Sequence, residues 1–96
     1  MTSDKLGVCV IGAGRAGMIH AVNFAKGVKN ARLAAISDPN RAAAEEACHE
    51  LELERHYPDY RQALENDEID AIVVVTPTDY HRDIVVAAAE AGKHIL

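Results

Sequence analysis

The chain has 96 residues, of which 49% are hydrophobic and 26% charged, and its formal net charge at pH 7 is −5. This length allows one domain with a modest core, and the composition is typical of a soluble globular class rather than a disordered one. The negative charge, with no cluster of Lys or Arg, disfavours nucleic acid and anionic membranes as partners, and the apolar runs are too short to span a bilayer.

The N-terminal segment and the cysteines favour a cytoplasmic location. Residues 1–5 are polar and lack the apolar segment of a signal peptide. Cys9 lies in a predicted strand and Cys48 in a predicted helix, without the close spacing of a metal or redox pair. We therefore expect reduced core thiols rather than a disulfide framework.

A glycine-rich turn follows the first predicted strand, residues 6–11. Gly12, Gly14 and Gly17 stand at the G-x-G-x-x-G spacing of dinucleotide sites. In such sites the first glycine permits the tight turn, the second lets a pyrophosphate approach the backbone, and the third lets the helix pack on the strand. The helix predicted at 15–26 adds unpaired N–H groups and the positive end of its dipole. The motif alone is a weak signal, because glycine turns also form for structural reasons.

The second predicted strand, residues 32–37, ends at an acidic residue. Asp38 stands about 20 residues beyond Gly17, where an acid accepts hydrogen bonds from the adenosine ribose hydroxyls. A 2′-phosphate would meet a like charge there, so Asp38 favours NAD over NADP. Asp38 and Pro39 also have the chemistry of a turn and of a cap for the helix predicted at 40–51. The two roles are compatible at one corner.

The rest of the chain continues the alternation of strands and helices. We predict a short strand at 55–57, a short helix at 58–66, a valine-rich buried strand at 71–75, a helix from 78 or 79 to 91 that Gly92 ends, and the start of a fifth strand at 94–96. This alternation predicts an α/β fold, a Rossmann-type doubly wound parallel sheet truncated at about the fifth strand.

The loop after the fourth predicted strand, residues 76–81, is the second candidate site segment. Parallel sheets bind ligands at the carboxyl ends of their strands where the strand order reverses, and strands one and four are the neighbours at that point. His81 is the histidine best placed for a role there, although it is equally well explained as a helix-start residue that binds nearby backbone.

Several motifs along the chain occur together in one family. They are Val10-Ile11-Gly12-Ala13-Gly14-Arg15-Ala16-Gly17, Ser37-Asp38-Pro39, Tyr57-Pro58-Asp59-Tyr60, the run from Ile69 to Thr78 with His81, and the run from Ala87 to Leu96. With them, nearly the whole chain resembles the N-terminal NAD(P)-binding portion of the Gfo/Idh/MocA oxidoreductases, the group of glucose-fructose oxidoreductase and inositol dehydrogenase. The Thr-Pro…His loop and the Ala-Gly-Lys-His segment are more specific than the glycine turn.

The resemblance implies cofactor contacts and no catalytic residue within residues 1–96. The implied contacts are Gly12, Ala13, Gly14, Arg15 and Ala16 for the pyrophosphate, Asp38 for the ribose, and Thr76, Pro77, Thr78 and His81 for the nicotinamide side. The family's catalytic lysine would follow Leu96, and the substrate domain would lie beyond it. Lys93 is not that lysine, and we expect it at the opposite, N-terminal edge of the sheet. Family members often carry a larger apolar residue than Ala16, so packing over the cofactor is expected to be looser here.

The resemblance also implies the activity of the intact parent. Such an enzyme moves hydride between NAD and a hydroxyl-bearing carbon of a sugar or cyclitol, and the chain alone is not expected to catalyse this reaction.

Other interpretations stay open at this point. One is a non-catalytic nucleotide-binding module that forms a homo-oligomer by burying the Ile95–Leu96 edge of the last strand. A methyltransferase-like fold that binds S-adenosylmethionine is disfavoured by the loop 76–81. The five histidines form no His-x-x-x-His pair, so no metal site is expected. Arg15 either contacts a phosphate or faces solvent.

Overall fold

The computed structural model describes residues 6–27, 30–53, 55–76 and 78–96. The strands are β1 (Leu6–Ile11), β2 (Ala31–Ser37), β3 (His56–Tyr57), β4 (Ala71–Val74) and β5 (His94–Ile95), and the helices are α1 (Arg15–Gly27), α2 (Arg41–Leu51), α3 (Tyr60–Leu64) and α4 (Thr78–Glu90). The strands form one parallel sheet in the order β3-β2-β1-β4-β5. The predicted Rossmann-type fold is confirmed, including the adjacency of β1 and β4.

Two apolar clusters bury the two faces of this sheet. Along β1, Val8 and Val10 pack with residues of α1 and α2, whereas Cys9 and Ile11 pack with residues of α3 and α4. Successive side chains of a strand point to opposite faces, so a strand covered on both sides must be apolar throughout. The uninterrupted apolar runs of β1 and β4 follow from this central position.

An irregularity in β2 sets how the strand ends meet. Val8 pairs with Leu33, but the next residue, Cys9, pairs with Ala35, so Ala34 is an extra residue in the ladder. Both Ala34 and Ala35 then pack on the α3/α4 face, and Ile11 comes opposite Ser37. A one-residue shift of register changes which face each side chain covers, and the small alanines accommodate it.

The helix starts correct two details of the prediction. Helix α2 is capped by Asn40, whose side chain accepts a hydrogen bond from Ala43 N at 3.1 Å, and not by Asp38. Helix α3 begins only at Tyr60, because Asp59 forms its N-cap with a capping box that involves Gln62. In both cases an Asx residue directly before the helix satisfies N–H groups that lack an intrahelical partner.

The cysteines, the end of α4 and Lys93 lie where the sequence predicts. Cys9 and Cys48 are buried and free, and burial raises the pKa of the Cys9 thiol to about 12 and also raises the pKa of Cys48. Gly92, with φ of +76°, ends α4. Lys93 Nζ donates to Asn66 O at 3.1 Å beside the start of β4, which confirms that Lys93 lies at the N-terminal edge of the sheet.

The helices also bear on membrane association. In the described part of the chain, none has the length and apolar character that crossing a bilayer requires.

The packing predicts how substitutions affect stability. Ile36 is fully buried in the α1/α2 cluster, whereas Ile19 on α1 is 59% exposed. We expect Ile36→Val to lower the free energy of unfolding by about 1 kcal/mol, and the matched Ile19→Val to change it by less than about 0.5 kcal/mol. Urea denaturation followed by circular dichroism measures both, and equal losses would contradict this packing.

Candidate functional site

The glycine turn after β1 lies between the ends of two neighbouring strands. Gly12 has φ of +115°, and a Cβ on it would stand 2.9 Å from the carbonyl oxygen of Val75, just beyond β4. On the other side, Gly12 N donates to Ser37 O of β2 at 2.7 Å. A side chain would be strained by the backbone angle and would contact Val75, so only glycine fits the turn.

The next two glycines differ in what surrounds them. A Cβ on Gly17 would overlap the carbonyl oxygen of Gly12, whereas a Cβ on Gly14 would have no atom within 4 Å. Gly17 therefore allows close packing of α1 on the turn, as predicted, and Gly14 borders open space. Met18 N donates to Gly14 O at 2.8 Å, which closes the first turn of α1. The N–H groups before Met18 in that turn have no intrahelical acceptor.

Asp38 joins the end of β2 to the glycine turn. Its Oδ2 accepts a hydrogen bond from Ala13 N and its Oδ1 accepts one from Asn40 N, both at 2.7 Å. The half-buried carboxylate is thus held by two backbone N–H groups, and each oxygen keeps a second acceptor site. The N–H of Ala13 is committed to this bond, so in this structure it supports the turn rather than pointing to a ligand.

The segment after β4 supplies a buried polar atom with which no described residue forms a hydrogen bond. Val75 N donates to Ile11 O at 2.9 Å, which continues the pairing of β1 and β4 to the edge of the sheet. Beyond it, the hydroxyl oxygen of Thr76 is buried and, among the described residues, has no hydrogen-bond partner. A buried polar atom of this kind calls for a ligand or a water to satisfy it.

A cavity of about 740 Å³ lies at this carboxyl edge of the sheet. Four of the predicted site residues, Gly12, Gly14, Asp38 and Thr76, line it together. His81, half-buried on α4, is not among its lining residues. Pro77 lies outside the described residues, and Arg15, Ala16 and Thr78 are described only by their backbone, at the starts of α1 and α4.

The cavity also has walls that were not predicted from the sequence. They are Pro58, Asp59, Tyr60 and Arg61, from the turn after β3 and the start of α3, and Tyr80 and Asp83 from α4. The rule that ligands bind at the carboxyl ends of parallel strands applies to the turn after β3 as well, and it could have indicated the first four residues. The α4 residues depend on how that helix packs, which no local pattern shows.

The described residues offer no alternative centre for metal chemistry. Within them, no three His, Cys, Asp or Glu side chains lie close enough together to hold a metal ion. The predicted residues in the cavity supply a glycine turn, one carboxylate held by two backbone N–H groups, and one buried hydroxyl without a partner among the described residues.

A family model and several known proteins match this chain. The model described as an oxidoreductase family with an NAD-binding Rossmann fold matches residues 6–96. The NAD(+)-dependent scyllo-inositol 2-dehydrogenase of Bacillus subtilis is 42% identical over 86 residues, which cover 90% of this chain and 25% of that protein. The myo-inositol 2-dehydrogenase of Thermotoga maritima is 40% identical over 86 residues, which again cover 90% of this chain and 25% of that protein. The chain thus spans about a quarter of the length of these relatives.

Solved structures give the same picture. The scyllo-inositol dehydrogenase of Lactobacillus casei with bound NAD(H) and scyllo-inositol superimposes with a TM-score of 0.89 at 32% identity, covering 95% of this chain and 27% of that one. The apo form of the scyllo-inositol dehydrogenase from the same organism gives a TM-score of 0.91 at 33% identity, covering 99% of this chain and 28% of that one.

The glycine turn provides a matched pair of substitutions. We expect Gly17→Ala to lower the free energy of unfolding by about 2–3 kcal/mol, because the new Cβ meets a rigid backbone oxygen. Gly14→Ala should stay within about 0.5 kcal/mol of the wild type, because its Cβ enters open space. Thermal or urea unfolding measures both free energies. If Gly14→Ala lowered the free energy of unfolding as much as Gly17→Ala, the close packing at Gly17 and the open space at Gly14 would be contradicted.

Proposed function

Because the chain belongs to the Gfo/Idh/MocA oxidoreductases as their NAD-binding Rossmann portion, we propose that residues 1–96 form the cofactor domain of a dehydrogenase that acts on a cyclitol. The observation that carries this proposal is the 2.7 Å hydrogen bond from Ala13 N to Asp38 Oδ2. It fixes the acid at the end of β2 directly beside the turn that opens α1. A dinucleotide site needs an acceptor for the ribose hydroxyls next to a binding site for the pyrophosphate.

The pyrophosphate is assigned to the glycine turn. The space above Gly14, which a Cβ would enter, lies at the N-terminal end of α1, where free N–H groups and the helix dipole favour an anion. Gly12 shapes the turn, and Ala13 holds it to Asp38. Arg15 and Ala16 complete the proposed contacts from the first turn of the helix.

The adenosine ribose is assigned to Asp38. The remaining acceptor sites of its carboxylate are free for the ribose hydroxyls, and no described side chain neutralises the carboxylate by an ion pair. A 2′-phosphate at this place would add a second negative group beside it. We therefore propose NAD as the cofactor in preference to NADP.

The nicotinamide side is assigned to the loop after β4. The buried hydroxyl oxygen of Thr76 lacks a partner among the described residues, and a carboxamide or ribose hydroxyl would satisfy it. Pro77, Thr78 and His81 complete this proposal on the strength of the family resemblance.

The chain supplies binding and orientation in this scheme. Bound NAD would accept hydride from a hydroxyl-bearing carbon of an inositol-like substrate, as the names of the relatives suggest. The proton of that hydroxyl is assigned to a lysine beyond Leu96, again by resemblance. The two buried thiols fit a cytoplasmic location, which is part of the proposal.

A self-associating role is a second candidate. Among the described residues, strand β5 pairs only with β4, and Ile95 and Leu96 are 42% and 59% exposed. Unpaired strand edges with apolar side chains favour pairing with another chain. A homo-oligomer through this edge is therefore proposed, and a monodisperse monomer by light scattering would contradict it.

Calorimetric titration tests the cofactor assignment. We expect NAD to bind at least about tenfold more tightly than NADP, because the 2′-phosphate meets Asp38. Asp38→Ala should weaken NAD binding by about tenfold and narrow the gap between the two cofactors. Gly14→Ala should weaken both cofactors equally, because its Cβ occupies the pyrophosphate approach.

The matched control is Asp67→Asn, an exposed acid in the turn before β4 at the opposite edge of the sheet, which should change neither affinity. Absence of binding at millimolar NAD by a chain that circular dichroism shows to be folded would overturn the cofactor role of this domain. Equal affinities for NAD and NADP would overturn the role of Asp38.

A further inference from the structure

The cavity continues beyond Asp38, away from the glycine turn. Past the end of β2 its walls come from Pro58, Tyr60 and Arg61 at the start of α3, and from α4. In a dinucleotide the ribose links the pyrophosphate on one side to the base on the other. With the pyrophosphate over Gly14 and the ribose at Asp38, the adenine must enter this far end. This inference rests on the proposed function.

Two groups at the far end are already paired. The carboxylate of Asp59 accepts from Arg61 N at 2.9 Å, and both of its oxygens lie 3.5 Å from Arg61 Nη1. The guanidinium of Arg61 lies 4.9 Å from the centre of the Tyr60 ring. Arg61 and Asp59 thus satisfy each other, and the capping of α3 holds Asp59 in place.

Asp83 is different, because its carboxylate accepts no hydrogen bond and forms no ion pair with any described residue. It lines the cavity from the second turn of α4, next in sequence to Ile84, which is only 3% exposed. Together with Tyr60 and Arg61 it also lines the adjacent groove between α3 and α4. Asp83 therefore faces α3, on the side of the cavity where the base must lie.

The walls on either side of this carboxylate suit a flat aromatic ring. Tyr80 precedes Asp83 by one helical turn and is 61% exposed, and Pro58 and Ile84 add apolar surface. Apolar walls with a few placed polar groups are typical of small-molecule sites, and Asp83 is the carboxylate here that no described residue pairs. A carboxylate accepts hydrogen bonds only, so the group it reads must be a donor.

We propose that Asp83 is the residue that recognises the adenine base, by accepting a hydrogen bond from its exocyclic 6-amino group. Hypoxanthine carries a carbonyl oxygen at this position, and two acceptors facing each other cannot bond. The structure thus assigns to α4 a discrimination between bases that is separate from the ribose discrimination at Asp38.

The test compares NAD with its hypoxanthine analogue, nicotinamide hypoxanthine dinucleotide, by calorimetric titration. The wild-type chain should bind NAD about five- to tenfold more tightly, the effect of one hydrogen bond to a charged acceptor near solvent. Asp83→Asn has nearly the same shape, and its amide can either accept from the amino group or donate to the carbonyl. In this variant the ratio of the two affinities should fall to about one.

The control is again Asp67→Asn, which changes the net charge by the same amount at the opposite edge and should keep the wild-type ratio. Equal binding of the two dinucleotides by the wild type, or an unchanged ratio in Asp83→Asn, would overturn the proposal. A preference for the hypoxanthine analogue would also overturn it, and would indicate that the Arg61 guanidinium reads the ring instead. Absence of any NAD binding contradicts the proposed function itself, whereas the ratio tests only the role of Asp83.

Discussion

The hydrogen bond between Asp38 and the amide of Ala13 connects the parts of the structure on which a cofactor site depends. It holds the end of β2 to the turn that leaves β1, while Gly12 bonds to Ser37 and fits against Val75. The carboxyl ends of three strands therefore meet with little freedom to move apart. Preorganisation of this kind lowers the cost of ordering a site when a ligand binds.

The fold could be predicted from the sequence, whereas the cap of α2 could not, and the bond between Asp38 and Ala13 explains this difference. Apolar runs, glycines and turn residues indicated every strand and helix, because β1 and β4 are covered on both faces and must be apolar. The prediction that Asp38 caps α2 was wrong. Asp38 has the right chemistry for a cap, but its carboxylate accepts a hydrogen bond from Ala13, 25 residues away in sequence. Asn40 then takes the cap position. Local sequence rules cannot anticipate a competitor that only tertiary folding brings near.

The residues of the candidate site likewise include some that the sequence could predict and some that it could not. Gly12, Gly14, Asp38 and Thr76 each follow a strand directly, and a parallel sheet brings such positions to one edge whatever the helices do. Tyr80 and Asp83 reach the cavity only because Ile84 and Ala88 anchor α4 on the α3/α4 face of the sheet. His81, one residue beyond Tyr80, is not among the residues that line the cavity. Helical rotation, which is fixed by packing, decides between neighbours that look equally suitable in the sequence.

These constraints divide the proposed site into a rigid part built from backbone and a more variable part built from side chains. The proposed phosphate site consists of the backbone of the glycine turn, where only glycine fits at Gly12 and where two backbone N–H groups hold the carboxylate of Asp38. The far end of the cavity is built from side chains on two helices, one of them only five residues long. Backbone geometry changes little under substitution, whereas helix-borne side chains can be exchanged without disturbing the sheet. On the proposed binding mode, substitutions at residues such as Asp83 and Tyr80 would change what surrounds the base and would leave the backbone contacts to the phosphates unchanged.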